Sequence, residues 1–171
     1  PARIVCDPRY ANVLTFVDCD YLKLDHLVFG HSDGEGSCTG NAISLIYSWN
    51  VEIVDCDIYG CGAYGLNIDD CNSVAINDSL IHDCTYGCAV VSDSNITMNY
   101  TEFYDCKEFT MFEVYESNID FTGCVFEDLE GVFMNDLDEY SEVNLICCTL
   151  DDAVAASIEE NAAYDDGLYV Y

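Results

Sequence analysis

An all-β chain wound into a parallel solenoid is the fold the sequence predicts, and three observations predict it. The first is a recurring segment: Asn50-Val51-Glu52-Ile53, Ser73-Val74-Ala75-Ile76, Asn95-Ile96-Thr97-Met98, Asn118-Ile119-Asp120-Phe121 and Glu142-Val143-Asn144-Leu145, in steps of 23, 22, 23 and 24 residues. The second is alternation within each segment, the period of a strand with one buried face. The third is the column pattern that appears when the segments are laid under one another. A unit of this length cannot bury its apolar face alone, but stacked units share one continuous core. The prediction is a right-handed parallel β-helix of about six coils of 22–24 residues. It forms a single domain over residues 1–171, regular between about 12 and 150.

Taken in order, Tyr21-Leu22-Lys23-Leu24 opens the first coil. From there four apolar columns run through every coil. They are Leu22, Val51, Val74, Ile96, Ile119 and Val143; Leu24, Ile53, Ile76, Met98, Phe121 and Leu145; Leu27, Cys56, Ser79, Thr101, Cys124 and Cys148; and Phe29, Ile58, Ile81, Phe103, Phe126 and Leu150. Like residues lie one above another because parallel strands stack at about 4.8 Å. Leucine-rich repeats share the length, but their LxxLxLxxN pattern and helical return are missing. Residues such as Gly60-Cys61-Gly62-Ala63-Tyr64-Gly65 are rich in turn formers and lack helical periodicity.

The step from Tyr21 to Asn50 is 29 residues, so the first coil carries extra chain. The insertion from Gly30 to Gly40 holds four glycines and is the most loop-like segment, where function tends to sit on a rigid scaffold. Asn50, Asn95 and Asn118 begin their strands and suggest a structural amide ladder, since Asn tolerates left-handed backbone and bonds its stacked equivalent. After residue 150 the columns fade. Ala153 to Ala163 reads as a short helix or a degenerate coil, and Gly167 to Tyr171 as a last strand. No amphipathic cap is evident at Pro1. The chain starts Pro1-Ala2-Arg3 without Met, which suggests a processed or excised piece whose ends continue in the parent or stack on a partner.

Composition narrows the partners. The formal charge is −29, with only four Lys and Arg residues among 171, while hydrophobic residues make up 51%. This is a core-forming chain and not a disordered acidic tail. Such a surface repels phosphate backbones and anionic lipid, so neither nucleic acid nor membrane insertion is expected. The 12 cysteines show no CxxC…CxxC zinc spacing. Those in columns, including Cys61, Cys84 and Cys106, read as small core residues. Cys6, Cys38 and Cys71 lie off the main columns and are the better disulfide candidates.

The run Asn50 to Gly65, with Leu27-Val28-Phe29-Gly30-His31 and Asp83-Cys84-Thr85-Tyr86-Gly87, resembles right-handed β-helix repeat proteins of the pectate-lyase-like superfamily. That resemblance implies the fold and leaves activity open, because the superfamily holds lyases, hydrolases, epimerases, adhesins and non-catalytic surface proteins. Its lyases use Arg or Lys, and the coils hold only Lys23 and Lys107, in non-adjacent coils. Its polygalacturonase-like hydrolases use several Asp, and Asn67-Ile68-Asp69-Asp70 and Gly30-His31-Ser32 are similar to fragments of that set, in the wrong order and without the RIK element.

The leading expectation is a non-catalytic extracellular or cell-surface scaffold. It would bind carbohydrate or a protein partner through outward residues, or assemble with itself through the solenoid ends. No cofactor is required by this reading. One alternative is a glycoside hydrolase-like enzyme with Asp69 and Asp70 as paired carboxylates. Another is a surface protein binding Ca²⁺ through Asp33, Glu35, Asp55 and Asp57, since oxygen ligands suit that ion. His26 and His82 read as isolated surface or turn residues. The tyrosines read first as stacks along the solenoid, and second as platforms for sugar rings. Of the sequons at Asn77, Asn95 and Asn99 most read as accidental, because Ser79 and Thr101 fall in core columns. The threonines form no ranked column, which argues against ice binding.

Overall fold

The computed structural model describes residues 1–7, 10–32, 39–60, 63–135, 137–162 and 167–171, with backbone alone at 107, 108, 161 and 162. The chain winds coil by coil through three strands per turn. After β1 (Ala2–Cys6) come β2 (Leu14–Val17), β3 (Lys23–Asp25) and β4 (Leu27–His31). The second full coil is β5 (Ile43–Ile46), β6 (Trp49–Val54) and β7 (Asp57–Tyr59); the third is β8 (Tyr64–Asp69), β9 (Asn72–Asn77) and β10 (Leu80–His82). Next are β11 (Gly87–Ser92), β12 (Asn95–Asn99) and β13 (Glu102–Tyr104), then β14 (Lys107–Tyr115), β15 (Asn118–Thr122) and β16 (Val125–Glu127). The last coil is β17 (Glu130–Met134), β18 (Glu142–Ile146) and β19 (Thr149–Leu150), followed by α1 (Asp152–Ala162) and β20 (Leu168–Val170).

Every third strand pairs in parallel, giving three faces. Face 1 is β1-β4-β7-β10-β13-β16-β19, face 2 is β17-β14-β11-β8-β5-β2, and face 3 is β20-β18-β15-β12-β9-β6-β3. The register places Ile53 against Ile76, Met98 against Ile76 and Phe121, and Phe126 against Leu150, as the columns require. The turns number about seven, one more than the columns count, because β1 already pairs with β4 ahead of residue 12. The region after Gly60 also differs from expectation. Residues 61 and 62 lie outside the described residues, but Tyr64 begins β8, a strand of face 2. Its inward residues, with those of its neighbours, form two more core columns: Ile43, Leu66, Ala89 and Phe112, and Leu45, Ile68, Val91 and Val114. Phe103 stacks on Phe126 at 5.0 Å between ring centroids, with Phe112 edge-on to Phe103 at 5.2 Å.

The corners explain much of the composition. Each turn bends through residues with φ near +50°, among them Asp18, Asp70 and Asp93 between faces 2 and 3, Asp55 and Asp78 between faces 3 and 1, and Asp83, Asp105 and Asp128 between faces 1 and 2. Asp and Asn enter this left-handed region more readily than other side chains. The residue after most of these bends is small and points inward. Between faces 2 and 3 that position reads Cys19, Ser48, Cys71, Ser94 and Ser117, and Ser141 continues the column. From Ser48 to Ser141 each side chain accepts the backbone N–H of its counterpart one coil earlier; those of Ser48, Cys71, Ser94 and Ser117 also donate to the carbonyl two residues back. Cys71, expected as a disulfide partner, is a buried free thiol that takes the place of a serine in this ladder. Cys6 pairs in register with His31, and Cys38 lies outside the described residues.

Residues 152–162 are helical, and α1 packs across the end of the stack against β17, β19 and β20. Among the described residues no helix is long and apolar enough to cross a membrane.

Candidate functional site

On face 3 the alternation buries Val51 and Ile53 and turns Glu52 outward. The same alternation in each coil builds an outward column of Lys23, Glu52, Ala75, Thr97, Asp120 and Asn144. Six strands at about 4.8 Å make this column roughly 24 Å from first to last. Its middle members, Ala75 and Thr97, are shorter than those at either end, so the face is hollow at its centre. Two adjoining shallow hollows of about 440 and 420 Å³ result, and Ser73 and Ala75 line both.

A second column flanks the first. Tyr21, Asn50 and Ser73 adopt φ of 60°, 54° and 57°, which bends the backbone before β3 and at the second residue of β6 and β9. Asn95 and Asn118 continue the column, and Asn118 Nδ2 donates to Asn95 Oδ1 at 2.9 Å. Asn50 instead donates to Asp20 at 3.0 Å, so the expected amide ladder holds for one step and ends on an aspartate. Asn77 and Asn99 make a similar bond at 2.8 Å, and Ser79 and Thr101 are buried, so these two sequons coincide with structural positions. Tyr21 is 79% exposed at the rim, and Trp49, 46% exposed, pairs in register with Asn72 of the second hollow. Lys23 lies 3.6 Å from both Glu52 and Asp25. The surface therefore offers amides, hydroxyls and short apolar patches, with charge concentrated at the ends.

The acidic candidates are dispersed. Asp55 is a left-handed corner residue, and its carboxylate faces His26 Nε2 at 2.8 Å. His26 Nδ1 also bonds Asp25 at 2.5 Å; that bond, and then the charge of Asp55, raise the imidazole above its ordinary value. Asp57 is on face 1, where it accepts from His82 Nε2 at 2.9 Å. Asp33 and Glu35 lie outside the described residues. Among the described residues no three His, Cys, Asp or Glu side chains converge in a way that could hold a metal ion. Asp69 ends β8 and Asp70 follows it at φ 53°, so Asp70 has a structural reason for being acidic. His31 ends β4 on face 1, away from this pair. It is 3% exposed, with Nε2 against the Ala11 carbonyl at 2.8 Å, and the structure does not bring it to Asp69 or Asp70.

His82 is not isolated. Its ring lies between Tyr59 and Tyr104, with centroids 5.7 and 4.7 Å away, and its two nitrogens meet Asp57 and Asp83 at 2.9 and 2.7 Å. The guanidinium of Arg3 covers Tyr59 and bonds its hydroxyl. This row was legible: Tyr59, His82 and Tyr104 each follow a residue of the fourth core column. A second row, Tyr64, Tyr86 and Phe109, runs along face 2. Both rows fit the stacking reading of the tyrosines.

Five of the thiols form two groups. Cys84, Cys88 and Cys106 are sealed in the core, where Cys84 and Cys88 each pair with Cys106; burial holds the Cys88 thiol up, and the bond to Cys106 does the same for Cys84. Cys124 and Cys148 touch across adjacent coils, and Cys148 is partly exposed.

A family model described as "Right handed beta helix region" matches residues 29–168. No curated protein matches the chain. Among solved structures, a trypsin-treated variant of QnrB1, described as a plasmid-mediated fluoroquinolone resistance protein, is similar at 11% identity over 89% of this chain and 98% of that one. The TM-score is 0.17.

Proposed function

Because the chain belongs to the family of right-handed β-helix proteins, we propose that it is a binding scaffold whose ligand, a neutral carbohydrate chain, lies along face 3. The observation that carries this reading is the pair of adjoining hollows joined at Ser73 and Ala75. A linear sugar chain suits such a surface: amides and hydroxyls exchange hydrogen bonds with ring hydroxyls, and exposed aromatics such as Tyr21 and Trp49 suit apolar sugar faces. The overall charge of −29 disfavours a uronate or sulfate polymer. On this reading the chain is bound without turnover.

Calorimetric titration with linear neutral oligosaccharides, and with uronic acid oligomers for comparison, tests the reading. The expected result is heat from neutral chains alone. Ala75→Gln, which fills the shared hollow, and Tyr21→Ala should each weaken binding by about tenfold, a change of about 1.4 kcal/mol. Absence of binding, or binding indifferent to both substitutions, overturns it. Release of new reducing ends that Asp69→Asn abolishes would replace binding by hydrolysis.

A further inference from the structure

Twenty-four residues separate Cys124 from Cys148, one turn of the solenoid, and the two occupy the same corner of successive coils. The neighbouring register Val125 to Thr149, with the Thr149 N–H donating to the Cys124 carbonyl at 2.8 Å, places one directly over the other. Both thiols aim back along the stack. Cys124 Sγ donates to the Met98 carbonyl at 3.2 Å and Cys148 Sγ to the Phe121 carbonyl at 3.6 Å. The environments differ: Cys124 is fully buried, whereas Cys148 is partly exposed.

We propose that Cys148 and Cys124 form a reversible dithiol–disulfide site, with Cys148 as the attacking thiol and Cys124 as the resolving one, reacting with small soluble disulfides. The Cys148 thiolate attacks one sulfur of the reagent and expels the other half as a thiolate. Cys124 then gives up its proton to solvent, attacks Cys148 Sγ, and expels the second half. The protein loses two electrons and two protons, and the reagent leaves as two thiols. The pairing of the two thiols supports this order, since it brings the Cys148 thiol down to about 7 while Cys124 is held up. A thiol with that property is the one that ionises and attacks.

The expected bond is strained. Stacked Cα atoms about 4.8 Å apart lie inside the disulfide range of about 4.4–6.8 Å, but parallel Cβ vectors stay near that spacing when about 3.5–4.5 Å is required. Strained, partly exposed disulfides are the readily reduced ones, so the link should open again with excess thiol. Its neighbour Cys147 is exposed, but Gly123 occupies the equivalent place one turn earlier, so Cys147 has no resolving partner in the stack.

The test is titration of the reduced, folded chain with glutathione disulfide, followed by peptide mapping without reduction. The expected product links the peptides of Cys124 and Cys148, and excess reduced glutathione reverses it. Cys124→Ser should stop at a stable glutathione adduct on Cys148, Cys147→Ser should change nothing, and Cys84, Cys88 and Cys106 should stay unmodified. A lasting adduct on Cys148 in the unsubstituted chain, a Cys147–Cys148 link, or no reaction at Cys148 would each overturn the proposal, and the unsubstituted chain alone decides.

Discussion

Ser94 shows how single residues hold the coils together. Its hydroxyl accepts the Cys71 N–H at 2.9 Å and donates to the Ser92 carbonyl at 2.6 Å, while its own N–H donates to Ser117 at 2.9 Å. At a corner the strand ladder is broken, so these side chains replace backbone partners that the bend removes. Replacing Ser94 by Ala leaves the buried Cys71 N–H without an acceptor and should destabilise the fold by about 1–3 kcal/mol in denaturant unfolding. Ser94→Cys should lose less, because Cys71 already fills the same role. An unchanged midpoint for Ser94→Ala would show that the ladder contributes little. The preceding Asp93, at φ 48°, illustrates why acids crowd this chain: many stand where the backbone turns left-handed, and only some are available for ligands.

Among the elements, α1 decides how the stack ends. Asp151 caps it by accepting the Val154 N–H at 2.8 Å, and its other oxygen accepts the Asp128 N–H of the coil below at 2.8 Å. Val154 and Ile158, four residues apart, are buried on one side of the helix. Ser157 accepts the Phe133 N–H of β17 at 2.9 Å, satisfying a donor on the edge strand. Ile158→Asp would bury a charge under this lid. The expected outcome is faster hydrogen exchange in β17, with β8 and β11 unaffected, because each coil depends chiefly on its neighbours. Equal acceleration throughout the stack would mean that the helix supports the whole solenoid and not its last turn.

For the whole molecule, a charge of −29 on 171 residues opposes compaction through self-repulsion. Screening reaches about 30 Å at 0.01 M salt and about 8 Å at 0.15 M. The melting temperature should therefore rise as sodium chloride increases over that range, by several degrees if the repulsion is worth about 1 kcal/mol or more. A flat melting temperature would show that the corner aspartates are already compensated locally, as Asp55 and Asp57 are by histidines.

The sequence by itself determined the repeat, the strand direction, the four columns of faces 3 and 1, and the last strand, while it left residues 153–163 open between a short helix and a degenerate coil. Inward residues recur at fixed spacing there because stacking demands like above like. The tertiary structure alone decided the rest. Face 2 escaped the columns because the residues leading into it, such as Gly60 to Gly65, are rich in turn formers, and because the insertion in the first coil sets Ile43 farther from Phe29 than Leu66 is from Ile58. The roles of Asp55, Asp57 and Asp70 depend on backbone angle and on which histidine lies one coil away. The hollow on face 3 exists because short residues from different coils stand side by side, a relation set by register and not by any one segment. The Cys124–Cys148 contact has the same origin: the column was legible, but the partial exposure of its outer thiol depends on how the stack ends.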